Sequence, residues 1–444
     1  MTTAPGRPGP VRSGRSRPDP DRPGPAPSVA LIHYAAPPVI GGVERVLARH
    51  AVLMADAGHE VRVIAGRGRA PAPRVRFVRV PLLDARHPVI ERIQLSLASG
   101  EVPPEFADVT GTIASELGAA LDGADVVIAH NVCSLGLNLA LTAALRTVTG
   151  RPGGPRLILW HHDLAWAMPA YRATLHEGLP WDLLRTAWPG AVQVVVSAAR
   201  RDALAGISGL PPAEIEVVPN GVDLETLWRI GRRTVSLMDR IGANRTAPLL
   251  LMPTRITRRK NVELALRVVA AMRAAGRPAG LIVTGPVDPH QAAGDAYLRE
   301  LQVLRRELGL EDAAWFLSAE LGGPPSDAVM GDLYRLADLL FLPSRDEGFG
   351  LPILEAAAHR LPIVCTDLAA LRPLAGDAAL YIGADDEPGR VAERILERLD
   401  GDPVARMATE VRTRYTWDAV YRERIAPLLM PGASHAGGGV RGAV

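Results

Sequence analysis

Lysine is almost absent from this chain of 444 residues: Lys260 is the single one, and every other basic side chain is arginine. The wealth of arginine, alanine, glycine and proline reads as codon bias, so arginine abundance argues for nothing and the isolated ammonium is what needs explaining. Cysteine is scarce too. Cys133 and Cys365 stand far apart, outside any paired-cysteine motif or Cys/His cluster, which excludes a disulfide framework and a structural zinc site. No run of 18 apolar residues occurs and the N-terminus lacks an apolar signal-peptide core, so the expectation is a cytoplasmic protein that neither spans a membrane nor is exported. The net charge of +2 comes from interspersed signs, too small a balance for a nucleic-acid groove.

What is present is a rhythm. Residues 1 to 27 and 431 to 444 are rich in Pro, Gly, Arg and Ser and poor in large apolar side chains; they cannot offset the entropy of ordering and are expected to be disordered tails. Between them, "SVALIHY", "EVRVIA", "RVRFVRV", "ADVVIAH", "RLILWHH" and "VQVVVS" read as strands separated by helical patterns. The basic "RGRAPAPRVRFVR" alternates as a half-exposed strand, with contact to anionic lipid as its rival reading. After a polar helical stretch the pattern restarts at "APLLLMP" and continues through "AGLIVTG", "AAWFLS" and "DLLFLP". The expectation is α/β: two doubly wound domains, 28–245 and 246–430, with ligands beyond the carboxyl ends of the strands in a cleft between them.

Four stretches carry candidate chemistry. Arg255 and Lys260 follow a strand directly; a planar guanidinium fork and a compact ammonium together suit a diphosphate, the alternative being a solvated basic loop. In "PSRDEGFGLPILEAAAHRLPIV", Pro352 suits the first turn of a helix. Gly348, Phe349, Gly350 and Leu351 then form a helix N-terminus that favours an anion. Glu347 and Glu355 flank that nest, and carboxylates near phosphates imply hydroxyls to bind. Gly41 and Gly42 lead from a strand into a helix, a turn that permits close ligand approach but lacks the dinucleotide fingerprint. His161, His162 and Asp163 end a strand, where a histidine donates to a sugar or acts as acid/base; a packing role for one of the pair, or metal binding, is the rival.

Together these stretches resemble glycosyltransferase family 4, the retaining, nucleotide-sugar-dependent transferases of the GT-B fold, over residues 28 to 430. "GGVERVLARHAVLMADAGHEVRVI", "VSAARRDAL", "VVPNGVD", the Arg255 to Lys260 spacing, "SRDEGFGLPILEAAAHRLPIVCTD", "GDAALYI" and "YTWDAVYRER" carry the resemblance. It implies two Rossmann-like domains facing each other, a hexose moved from a nucleotide-diphosphate sugar to a hydroxyl acceptor, and no cofactor or metal. It assigns Arg255 and Lys260 to the donor diphosphate and the backbone of Phe349, Gly350 and Leu351 to its phosphates. Glu347 goes to the sugar hydroxyls, Glu355 to the ribose, and Gly41 and Gly42 to donor or acceptor. His161 or His162 lines the sugar pocket, His162 being the better match because Asp163 follows it. The Trp417 region matches a last helix that crosses back to the first domain. Two departures stand out: Thr254 replaces the usual glycine before the arginine, and "DLAALRPLAGDAAL" lacks the glutamate that many members place before Gly-Asp. The expected partners are the nucleotide sugar and a sugar, lipid or small-molecule acceptor; peripheral membrane contact and oligomeric state stay open. A sugar-nucleotide-binding subunit without turnover and a sugar-nucleotide epimerase are the alternatives, separable from a transferase by donor binding without transfer and by products formed without acceptor.

Overall fold

The computed structural model describes residues 26–151, 153–286 and 294–430. The expected disordered tails fall outside the described residues except for Ala26 and Pro27. The chain forms two compact units, one up to Val217 together with Leu428 onward, the other from Val218 to Pro427.

The first unit holds seven strands: β1 (Val29–Ile32), β2 (Val61–Ala65), β3 (Val75–Arg79), β4 (Val126–His130), β5 (Arg156–His161), β6 (Val192–Val195) and β7 (Ile215–Val217). All pair in parallel, in the order β3-β2-β1-β4-β5-β6-β7, with Val29 opposite Val61 on one side and Val126 on the other. The central strands β1, β2 and β4 are buried at every position, which is why they read as continuous apolar runs: a parallel sheet is covered on both faces. At the edge, β3 alternates between buried and exposed, and its arginines reach solvent. The helix Gly42–Asp56 buries Val46, Leu47, Ala51 and Met54 at helical spacing, and it ends before Gly58, whose φ of 92° suits only glycine among ordinary residues.

The second unit repeats the plan with β8 (Leu249–Met252), β9 (Gly280–Val283), β10 (Ala314–Phe316), β11 (Leu339–Leu342), β12 (Ile363–Thr366) and β13 (Ala379–Ile382). These are again all parallel, in the order β10-β9-β8-β11-β12-β13. The strand expected through "AAWFLS" is cut short, because Leu317 already opens a short helix.

The domain boundary expected at 245/246 lies instead at 217/218. The polar helices Leu224–Trp228 and Arg232–Ile241 belong to the second unit for a specific reason. Asp332 Oδ2 accepts hydrogen bonds from the Gly231 N–H at 3.0 Å and the Thr234 hydroxyl at 2.6 Å, and Leu237 and Met238 pack in that unit's core. At the other end Trp417 stays in the second unit, where it packs so closely on Gly221 that a Cβ there would stand 2.7 Å from the indole. Only from Leu428 does the chain count with the first unit, where Arg156 Nη1 donates to the Met430 carbonyl at 2.7 Å.

A buried ion pair ties the second sheet to the helix Pro403–Arg414. Arg412 and Asp338 pair with side chains 4% and 7% exposed. Asp338 also accepts from Leu249 N at 2.7 Å and Thr409 Oγ1 at 2.7 Å, and Arg412 Nη2 donates to the Thr246 carbonyl at 2.9 Å. Removing one member leaves the other charge buried without compensation. Asp338→Ala is therefore expected to lower unfolding stability by about 3–5 kcal/mol, read as a shift in the urea midpoint; an unchanged midpoint contradicts this account.

Candidate active site

In each sheet the strand order reverses beside the unit's first strand, between β1 and β4 and between β8 and β11. Chains leaving the carboxyl ends of such a strand pair run to helices on opposite faces, and the crevice left between them is where open parallel sheets bind ligands.

In the second unit, β8 leads into residues 253–260 and β11 into residues 343–350. Asn261 Nδ2 donates to the carbonyls of Pro343 at 3.1 Å and Ala384 at 2.9 Å, and Arg345 N donates to the Arg259 carbonyl at 2.7 Å. The exits of β8, β11 and β13 are thereby laced together. Asn261 adopts φ 56°, the left-handed region that asparagine tolerates better than most side chains. Lys260 is buried, and its Nζ donates to Glu347 Oε1, which also accepts from Ser344 Oγ at 2.7 Å. Glu347 Oε2 has no partner among the described residues. Arg255 is exposed, and its guanidinium likewise has no hydrogen bond or ion pair among the described residues. At Thr254, where the resemblance expects glycine, the backbone is held by the neighbouring loop: Gly285 donates to the Thr254 carbonyl at 2.9 Å, and a Cβ on Gly285 would lie 2.2 Å from that oxygen.

Gly350 has φ 94°, and a Cβ there would stand 2.5 Å from Leu371 Cδ2, so both backbone and space call for glycine. It opens the helix Leu351–Ala358, which has Pro352 in its first turn and no side-chain cap. The backbone N–H groups of Gly348, Phe349, Gly350 and Leu351 find no acceptor among the described residues. Free donors at and just before the positive end of a helix favour an anion. Glu355, one turn in, is exposed and accepts from the Tyr334 hydroxyl. Burial, then that bond and charge, push the Tyr334 hydroxyl far above its ordinary range, so it stays a donor.

In the first unit, Gly41 is extended and caps the helix Gly42–Asp56 without a side chain, and a Cβ added to Gly42 meets nothing within 4 Å. His161 ends β5 and its Nε2 contacts Gln193 Oε1 at 2.8 Å; His162 follows, with Nε2 at 3.1 Å from His130 Nδ1. Both are buried. Asn131, at φ 57°, accepts through Oδ1 from His162 N at 2.8 Å and Asp163 N at 3.2 Å, so it fixes the backbone of the His-Asp pair. Burial, partly offset by the Gln193 bond, pushes His161 down to about 4. Burial, then His33 and His161, push His162 down to about 3, and burial, then His162, take His50 to about 3. All three are neutral imidazoles at physiological pH.

The sequence-derived site residues thus fall into two sets. Arg255, Lys260, Glu347, Gly348, Phe349, Gly350, Leu351 and Glu355 gather at one sheet end of the second unit, and Gly41, Gly42, His161 and His162 occupy strand ends of the first. Sequence reasoning missed Asn131, His130, Asn261 and Ser344. An asparagine directly after a strand or immediately before a helix, as in "AHN" and "RKN", was the available signal for two of them. The Asp-x-Asp spacing at Asp400 and Asp402 is spent on structure: Asp400 pairs with Arg277 at 2.8 Å, and Asp402 Oδ1 accepts from Val404 N at 2.8 Å at a helix start. Among the described residues no group of three or more His, Cys, Asp or Glu is arranged to hold a metal ion.

The depressed histidines set a pH dependence. The unfolded chain takes up protons on these residues below about 6.5 while the folded first unit resists, so their contribution to stability is full above that pH and falls as pH drops through the window toward 4. Each loses about 1.4 kcal/mol per pH unit there. Melting temperatures at pH 7, 6 and 5 are expected to fall progressively; a flat profile contradicts the burial of neutral rings.

The family description Glycosyltransferase Family 4 matches residues 40–226, and Glycosyl transferases group 1 matches residues 247–400. D-inositol 3-phosphate glycosyltransferase of Kineococcus radiotolerans is 31% identical over 227 residues, 48% of this chain and 50% of that one. Mannosylglucosylglycerate synthase of Thermotoga maritima is 24% identical over 439 residues, 92% of this chain and 96% of that one. The chain spans about half the length of several of the curated relatives it matches. A glycosyltransferase structure from Rickettsia africae ESF-5 aligns with 91% of this chain and 100% of its own at 14% identity and a TM-score of 0.33, and the assignment does not rest on it. With one family match over residues 40–226, the other over 247–400, and a doubly wound parallel sheet in each unit, the chain belongs to glycosyltransferase family 4, with the two Rossmann-like units of the GT-B class.

Proposed function

We propose that the protein is an active glycosyltransferase that moves a hexose from a nucleotide-diphosphate sugar to a hydroxyl acceptor, with retention of anomeric configuration and without a metal ion. The observation that carries this reading is the set of four unpartnered N–H groups at Gly348–Leu351, at the same sheet end as the uncommitted guanidinium of Arg255 and the buried Lys260–Glu347 pair. A diphosphate is the ligand that uses all of these. Arg255 offers a fork to its oxygens, Lys260 a compact charge, and the helix start a fixed cradle. Glu347 Oε2 and the Glu355 carboxylate then accept from sugar and ribose hydroxyls. In the first unit, the Gly41–Gly42 turn and His162 serve hydroxyl recognition.

The reaction this supports breaks the bond between the anomeric carbon and the diphosphate oxygen while the acceptor oxygen bonds to that carbon on the same face. The acceptor's proton passes to the departing diphosphate. Such a reaction depends on stabilising charge on the leaving group more than on a strong base, in keeping with histidines pushed down to about 4 and 3. Two relatives are named for D-inositol 3-phosphate and for mannosylglucosylglycerate; a small polyhydroxylated acceptor is the corresponding reading here.

Incubation with UDP-, GDP- and ADP-sugars and a panel of polyol acceptors is expected to release nucleoside diphosphate with one donor, unaffected by EDTA. Failure of every donor and acceptor pair with folded protein defeats the proposal. Lys260→Ala is expected to slow transfer at least about a hundredfold, since one charge-stabilising donor is worth about 3 kcal/mol of barrier. Lys260→Arg is also expected to be impaired, because the guanidinium is too broad for a buried point-charge site. Wild-type turnover in Lys260→Ala shows instead that the lysine is structural.

A further inference from the structure

Four histidines from separate segments meet in the first unit: His33 after β1, His50 on the helix Gly42–Asp56, His130 at the end of β4 and His162 after β5. All are buried, His130 completely. His33 Nδ1 lies 2.8 Å from the His130 carbonyl and therefore donates to it; its Nε2 stands 3.9 Å from Glu44 Oε1. His130 Nδ1 and His162 Nε2 lie 3.1 Å apart. A neutral imidazole carries one N–H, so one of these two rings donates and the other accepts.

The surroundings decide which. His130 Nε2 is buried with no hydrogen-bond partner, and so is the indole Nε1 of Trp160, whose ring centroid is 5.6 Å away. Trp160 Nε1 is only ever a donor. A proton on His130 Nε2 would leave two buried N–H groups without acceptors in one pocket, each costing its full desolvation. A proton on His130 Nδ1 is satisfied by His162 and leaves on Nε2 an acceptor, not a second orphaned donor, in the ring cluster that holds Trp160.

We infer that His130 donates from Nδ1 to His162 Nε2 and thereby holds His162 as its Nδ1–H tautomer. His162 Nδ1 has no partner among the described residues and is not among the buried orphan atoms. His162 consequently offers an N–H donor at the end of β5 and no free lone pair, so it binds an oxygen and does not act as a general base. His130 is a positioning residue, and Asn131 assists by fixing the His162 backbone N–H. The functional meaning, a hydrogen bond to a sugar oxygen, rests on the transferase reading above; the tautomer does not.

The test is a long-range proton–nitrogen correlation spectrum of the full chain labelled with 15N-histidine, with His162 assigned by the signals lost in His162→Gln. The expected spectrum shows His162 protonated on Nδ1. In His130→Leu the Nε2–H form should rise at least severalfold, whereas His130→Asn, whose amide also donates, should restore the wild-type pattern. In parallel, kcat/KM for the donor should fall about tenfold in His130→Leu, the worth of about one hydrogen bond, and recover in His130→Asn. Nε2–H His162 in the wild type, or an unaltered His162 pattern in His130→Leu, overturns the inference. If His130→Leu does not fold, the wild-type and His130→Asn spectra decide. The inferred tautomer in a protein that transfers no sugar would strike the proposed function alone.

Discussion

The second unit depends on keeping one buried ammonium compensated. Lys260 and Glu347 both have side chains only 10% exposed, and an ion of that size taken out of water costs several kcal/mol unless it is paired and hydrogen-bonded. Glu347 Oε1, braced by Ser344, supplies that compensation, and the pair joins the exit of β8 to the exit of β11. This explains the lone lysine in an arginine-rich chain. A guanidinium presents a broad planar fork with five donors, more than a nearly dry pocket offering one carboxylate oxygen satisfies. The neighbouring arginines face water, where their size is harmless: Arg258 lies 65% exposed beside Glu300.

Each unit solves the same mechanical problem in the same way. A parallel sheet ends in loops that must be held still if they are to present ligand groups, and loops have few backbone partners of their own. An asparagine in the left-handed region does this twice. Asn131 collects the backbone N–H groups of His162 and Asp163 from β5, and Asn261 reaches the carbonyls that follow β11 and β13. The short amide side chain reproduces backbone hydrogen bonding where the strand has run out. The strand ends are thus tied together by hydrogen bonds, while Arg255, Phe349 and Leu351 stand exposed on them.

Much of the fold was legible because parallel strands buried on both faces are written as short apolar runs. "VALI", "VVIAH", "LLLM" and "LLFL" lie in strands near where the pattern put them. The helix at Leu351 was legible from Pro352 alone. The domain boundary was not, because the helices at 224–228 and 232–241 are polar and short. Their allegiance rests on Asp332, about a hundred residues away, accepting from Gly231 and Thr234. The strands β7 and β13 are only partly buried and β12 ends in Cys-Thr, so none of them shows the unbroken buried apolar run of "LLLM" or "LLFL".

By itself the sequence determined the identity and spacing of the groups that carry charge: one ammonium five residues after an arginine, two glutamates eight apart around a glycine-rich helix start, and a His-His-Asp at a strand end. Local chemistry writes such things, since caps, turns and strand ends act within a few residues. Only the tertiary structure decided their partners. It set Lys260 against Glu347 and left Arg255 uncommitted, gave Glu355 to Tyr334, and brought His33, His50 and His130 around His162. Those pairings depend on which strands lie side by side in the sheet, and strand adjacency is fixed by long-range packing that no stretch of local sequence encodes.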